Sequence, residues 1–251
     1  MSAHKPTIVL VHGAFADASS WNGVVDKLLA HDYPVIAVAN PLRGLTTDAD
    51  YVRQIVTSVE GPVVLVGHSY GGSVISNAAK GLPEVKALVF VAAFLPEEGE
   101  SAVTLSGKFP GSTLGETLRP VPVTLPDGRQ VTDLYIEQGK FRHQFAADVP
   151  EETAAIMAAT QRPVTDAALA ESASAPAWKD LPAWVLVATE DRNIPPQAQT
   201  FMAERAKATS VSLKASHAVS VSHPGDVARL ISEAAQATAW AASGLRDGSR
   251  E

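Results

Sequence analysis

Cysteine is absent from the 251 residues, which excludes a disulfide framework, a thiolate metal site and a cysteine nucleophile. An excess of positive charge is also missing. Twenty Lys and Arg stand against 27 Asp and Glu, a formal charge of −7, so the chain carries no electrostatic footprint for nucleic acid or an anionic membrane surface. Met1 to Thr7 hold no basic region followed by an apolar segment, and no run approaches the roughly 20 apolar residues of a membrane span. A cytoplasmic location with no membrane partner is the expectation. No internal repeat or low-complexity block occurs. Aromatic residues are few, at 6%, yet 46% of the chain is apolar, enough for a substantial core. The side chains left for catalysis are Ser, His, the carboxylates and Lys.

Short β-branched runs alternate with stretches of helical period, the pattern of a mostly parallel sheet flanked by helices. The runs read as strands are 7–11, 35–38, 63–66, 87–91, 184–187 and 211–214. They are continuously apolar rather than alternating, which predicts burial on both faces. Helices are predicted over 20–30, 48–59, 70–80, 196–206 and 225–239, with Gly81 and Pro83 stopping the third. Residues 95–177 break the alternation, first Gly-, Pro-, Ser- and Thr-rich, then helical around 151–160 and 165–172. They read as a mainly helical cap inserted into a core of residues 1–94 and 178–240. Such a cap would cover the carboxyl ends of the strands, where open α/β sheets bind ligands. The polar residues 241–251 read as a frayed tail.

Gly67-His68-Ser69-Tyr70-Gly71 fits G-x-S-x-G. With 17 glycines in the chain the five-residue pattern alone is weak, and its context supplies the weight. An apolar run, Val63 to Val66, precedes it and a helix-compatible segment, Gly72 to Ala79, follows. Strand, tight turn and helix would present Ser69 as a nucleophile, with small flanking residues because bulk there would collide with the neighbouring strand or helix. The helix beginning at Tyr70 would aim its N–H groups at the developing oxyanion, making the Tyr70 N–H one donor.

A serine hydroxyl needs a histidine to take its proton and a carboxylate to fix that histidine's tautomer. Of seven histidines, His4 belongs to a frayed start, His31 to a helix end, His143 to the cap, and His68 points away from its neighbour Ser69. His12 belongs to a glycine turn treated below. His217 and His223 remain, and His217 is favoured because it follows the last strand at the sheet's carboxyl edge. For the acid, Glu190 and Asp191 both follow the strand at 184–187.

These motifs together resemble the α/β-hydrolase superfamily over nearly the whole chain outside the cap and tail. In that family the order is Ser, acid, His. The acid commonly stands four residues before a proline, and the histidine seven before another. Asp191 precedes Pro195 by four and His217 precedes Pro224 by seven, so the resemblance selects Asp191 and His217. Val11-His12-Gly13-Ala14-Phe15 is similar to the family's HG turn, which implies Ala14 N–H as the second oxyanion donor. The compact size, HGAFADASSW and GHSYGG look most like a bacterial esterase branch related to plant methylesterases and hydroxynitrile lyases. Lyases of that branch use a threonine and a lysine where this chain has Gly13 and Ala218, which disfavours cyanohydrin cleavage.

The expected function is hydrolysis of small to medium, largely apolar carboxylic esters through an acyl-enzyme. It would need no cofactor and no metal, and the protein would act as a monomer or homodimer on a small-molecule ester. Lyase, cofactor-free perhydrolase or haloperoxidase and C–C hydrolase chemistry occur on related scaffolds, and a ligand receptor with a vestigial triad is a rival of a different class. In the cap, Phe109, Leu114, Phe141, Phe145, Ile156 and Met157 are candidates to line the substrate pocket.

Overall fold

The computed structural model describes residues 5–174 and 176–244. Nine strands and ten α-helices are assigned among them. In chain order the elements before the cap are β1 (Thr7–Val11), α1 (Asn22–Leu29), β2 (Val35–Val38), α2 (Leu45–Thr57), β3 (Val63–His68), α3 (Tyr70–Ala78) and β4 (Val85–Val91). Residues 95–177 contribute α4 (Ala102–Ser106), β5 (Leu118–Thr124), β6 (Gln130–Ile136), α5 (Gln138–Phe145), α6 (Glu151–Thr160), β7 (Val164–Thr165) and α7 (Asp166–Ala170). The chain then closes with β8 (Ala183–Ala188), α8 (Pro196–Arg205), β9 (Thr209–Leu213), α9 (Val219–Ser222) and α10 (Pro224–Gly244).

Six strands form one sheet in the order β2-β1-β3-β4-β8-β9, every neighbouring pair parallel. Alternate residues feed two cores. Ile8 and Leu10 face α1 and α10, while Val9 and Val11 face α2, α3, α8 and the cap. Covering both faces explains why β3 and β8 are buried at every residue. The expectation of two-sided burial fails at the edges: β9 is largely exposed, with Val211 at 41% exposure, and β2 is only partly buried. An edge strand has a neighbour on one side and the ends of the helical layers beyond it, so its apolar run buries less.

The segment 95–177 holds more helix than strand. Its helices are accompanied by a three-stranded sheet, β5-β6-β7, in which β5 and β6 form an antiparallel hairpin. The hairpin turns at Pro126-Asp127-Gly128, where Leu125 N–H donates to Arg129 O at 2.8 Å and Gly128 takes φ 84°. A Pro-Asp-Gly turn between alternating segments is a hairpin signature, and Pro120 and Pro122 suit β5 as an edge strand. The predicted helix at 165–172 is the short β7 followed by α7. At the other end α10 runs to Gly244, four residues into the predicted tail. The rest of that tail and His4 lie outside the described residues. No helix among the described residues is long and apolar enough to cross a membrane.

Candidate active site

The turn between β3 and α3 carries the strain that the motif requires. Ser69 sits at φ 54°, ψ −124°, a conformation that costs a non-glycine residue about 1–3 kcal/mol and persists only where its surroundings hold it. Three main-chain bonds hold it here: Ser69 N–H donates to Val91 O (3.4 Å), and Ser69 O accepts from Gly72 N–H (3.0 Å) and Phe94 N–H (3.1 Å). The flanking glycines are required by packing. A Cβ on Gly67 would stand 2.5 Å from Gly71 O, and one on Gly71 would stand 2.3 Å from Val11 O.

Asp191 and His217 meet from two loops at the carboxyl edge of the sheet. His217 Nδ1 lies 2.6 Å from Asp191 Oδ2, with both side chains buried. A carboxylate can only accept, so Nδ1 carries the proton and Nε2 presents a lone pair. Nε2 is buried and has no hydrogen-bond partner among the described residues. The Ser69 hydroxyl makes no hydrogen bond to it.

The Asp191 carboxylate is itself fixed on four sides. Oδ1 accepts from Asn193 N–H (2.7 Å) and Ile194 N–H (3.0 Å), and Oδ2 accepts from Gln199 Nε2 (2.9 Å) as well as from His217. The Gln199 amide cannot flip, because its Oε1 accepts from Ala188 N–H and its Nε2 also donates to Ile194 O. The rivals stand apart. Glu190 is half exposed beside Lys214, and His223 is partly exposed beside Asp148 at 3.6 Å.

Three further side chains brace this arrangement, and of these the sequence reading named His68 and Phe145 in other roles and did not single out Gln199. His68 points away from Ser69 as expected, and its Nε2–H donates to the main-chain oxygen of His217 at 2.8 Å. Burial holds the His68 imidazole well below its ordinary pKa, with the nearby His217 acting in the same direction, so the ring stays a neutral donor. Phe145 stands edge-on to His217 at 4.9 Å between ring centres, and its carbonyl accepts from Ala218 N–H. Gln199 is fully buried on α8, eight residues after Asp191. That spacing was readable from the sequence, although its direction of donation was not.

The HG turn lies against the elbow. His12 Nε2 accepts from Asn40 N–H (3.0 Å), which places the ring proton on Nδ1, where it donates to Gly13 O (2.8 Å). Burial lowers its pKa to about 4. Phe15 takes φ 61°, and its N–H donates to the cap at Arg162 O.

Ala14, Ser69 and Tyr70 line one cavity of about 290 Å³. Its walls are largely apolar, including Phe15, Phe94, Leu114, Leu134 and Leu169, with Ser106, Ser112, Asp166 and Asn193 as polar points and no basic side chain among the described residues. Of the six residues offered as candidates to line the pocket, Leu114 does so and the other five stand elsewhere. Phe141 and Phe145 are buried in the core, Phe109 packs at a tilt against Phe201 with 5.6 Å between ring centres, and Ile156 and Met157 line a separate cavity that Phe15 also lines. Among the described residues no group of three His, Asp or Glu side chains could hold a metal ion.

A parallel sheet with a strained serine elbow, and a paired acid and histidine in the loops beyond it, defines a class. Residues 8–230 match the Alpha/beta hydrolase family, and the chain belongs to it. It is 29% identical to an α/β-hydrolase of Aspergillus novofumigatus, across 92% of this chain and 97% of that one. It is also 32% identical to Methylesterase 2 of Arabidopsis thaliana over 127 residues, and 31% identical to a carbendazim-hydrolysing esterase of a Nocardioides strain over 113 residues. Those two alignments span about half of either relative, 48% and 47%, and 45% and 40% of this chain. Among solved structures, a pyrethroid hydrolase superposes with a TM-score of 0.73 at 25% identity, covering 93% of this chain and 98% of that one. Polyneuridine aldehyde esterase superposes with a TM-score of 0.78 at 20% identity, covering 91% and 98%, a likeness of fold.

Proposed function

We propose that the protein is a serine esterase that cleaves small to medium, largely apolar carboxylic esters. The observation that carries the reading is the buried Asp191–His217 pair, which leaves a basic Nε2 beside the elbow that presents Ser69. In this reading Ser69 Oγ attacks the ester carbonyl carbon while His217 Nε2 takes its proton. The N–H groups of Ala14 and Tyr70 receive the oxyanion. The alcohol leaves with the proton returned from Nε2, and water deprotonated by His217 then releases the acid and regenerates Ser69.

The apolar walls, and the lack of a cation among the lining residues, favour neutral esters over substrates that carry a second anionic group. Esterase names among the relatives and the pyrethroid hydrolase neighbour point the same way. Gly13 and Ala218 offer neither hydroxyl nor ammonium beside the triad, which supports hydrolysis over lyase chemistry. Residues 95–177 serve as the cap that encloses the substrate.

The test is hydrolysis across nitrophenyl esters of increasing acyl length, with Ser69→Ala as the control. Short and medium neutral esters should be turned over with a burst that Ser69→Ala abolishes. A retained burst in the purified variant would refute the serine mechanism.

A further inference from the structure

Tyr70 is the residue whose N–H would receive the oxyanion, and its side chain has a second attachment. The phenol OH donates to Asp48 Oδ2 at 2.8 Å. Both residues are buried, Asp48 completely. Asp48 lies in the first turn of α2, and its other oxygen accepts from Arg43 N–H at 3.1 Å. Burial keeps the Tyr70 phenol protonated, far above its ordinary range, so it acts as a permanent donor.

The anchor is in turn fastened to the cap. The Arg43 guanidinium bonds Asp133 on β6 (2.6 Å) and Pro163 O (2.9 Å). The Glu171 carboxylate accepts from Leu45 N–H and Thr46 N–H at the start of α2. Neither carboxylate belongs to the Asp191 network, and neither is used by the acyl-transfer steps above.

The peptide plane between Ser69 and Tyr70 carries the Tyr70 N–H, and the angle that orients this plane is ψ of Ser69, held at −124° in a strained region. Relaxing that angle would turn the N–H away from the oxyanion position. A side chain fixed at its far end resists such a turn, because the Cα of residue 70 cannot rotate without dragging the buried phenol off Asp48.

We propose that Asp48 is a positioning residue for the oxyanion hole, acting through the Tyr70 phenol. This rests on the serine esterase reading. A role limited to capping α2 would lower stability and leave transition-state binding untouched.

The experiment uses the full-length purified protein as wild type, Tyr70→Phe, Asp48→Asn and the double variant. Each is assayed for kcat and KM on nitrophenyl butyrate, and for inhibition by a trifluoromethyl ketone and by the matching plain methyl ketone. The trifluoromethyl ketone reports the oxyanion because it adds the serine to form a charged tetrahedral adduct, whereas the plain ketone reports pocket binding.

Tyr70→Phe is expected to lower kcat about tenfold, less than the loss of a whole oxyanion donor, with KM within about twofold. Trifluoromethyl ketone affinity should fall in proportion to kcat, the plain ketone should be unaffected, and the double variant should be no worse than the poorer single. Unchanged kcat and unchanged trifluoromethyl ketone affinity in Tyr70→Phe would overturn the proposal, whatever its melting temperature. Tyr70→Phe removes one oxygen and leaves the capping bonds of Asp48 in place, so it decides the matter even where Asp48→Asn fails to fold. Failure of the esterase reading is distinguishable: wild type itself would neither turn over the ester nor capture the trifluoromethyl ketone, and both ideas would fall together.

Discussion

An Asp191→Asn substitution preserves side-chain size, removes the negative charge and leaves one terminal atom in place of two to accept hydrogen bonds. All four partners of this carboxylate are donors: two main-chain N–H groups on Oδ1, and Gln199 Nε2 and His217 Nδ1–H on Oδ2. An asparagine must point its NH₂ at one of these pairs. The main-chain N–H groups cannot become acceptors, and Gln199 is locked by Ala188 N–H. His217 alone can adapt, by moving its proton from Nδ1 to Nε2. The NH₂ is therefore expected on the Oδ2 side, with His217 in the wrong tautomer and no lone pair toward Ser69. Loss of the general base by this route in a serine triad lowers kcat about 10⁴-fold, about 5 kcal/mol of barrier. Opposed donors at Gln199 should also cost about 1–3 kcal/mol of stability. Steady-state hydrolysis of a nitrophenyl ester, with urea unfolding of the same preparations, measures both. An Asp191→Asn variant within tenfold of wild-type kcat would refute the assignment of the base's orientation.

Two further outcomes follow from the packing at the elbow and the burial of His12. Gly71→Ala drives a Cβ to within 2.3 Å of Val11 O and should lose about 1–3 kcal/mol in urea unfolding, whereas Gly115→Ala, with open space around it, should lose little; equal effects would contradict the packing argument. His12, lowered to about 4 by burial from an ordinary value near 6.5, is neutral in the fold while the unfolded chain protonates first. Its contribution, about 3 kcal/mol, is present above pH 6.5 and is lost as pH falls toward 4. The His12 ring resonances should titrate near about 4 in the folded protein, and a midpoint near 6.5 would refute its burial.

Much of the candidate site's geometry was legible because it is local. The elbow is five residues with a strand before and a helix after, and strain at Ser69 follows from that context. Choosing Asp191 over Glu190 needed family resemblance, since two adjacent acids in a loop differ only in which way each points. Long-range partners were not legible. Nothing in the run from Leu45 to Thr57 marks Asp48 as the anchor of a tyrosine 22 residues on, and nothing in the cap marks Phe145 as the wall of His217. Edge exposure of β9 was hidden because apolar content reports what a strand can bury, while its place in the sheet decides what it does bury. The β5–β6 hairpin was legible in Pro126-Asp127-Gly128, but the surrounding proline and threonine read as loop.

The proposed reaction requires Ser69 to form a covalent acyl intermediate. Intact-mass measurement after rapid acid quench, with nitrophenyl butyrate in excess, tests it most directly. A butyryl adduct is expected on a stoichiometric fraction of wild type, mapped to the peptide containing Ser69, and none on Ser69→Ala. Rapid turnover with no adduct at the earliest quench times, or an adduct that persists in Ser69→Ala, would contradict it.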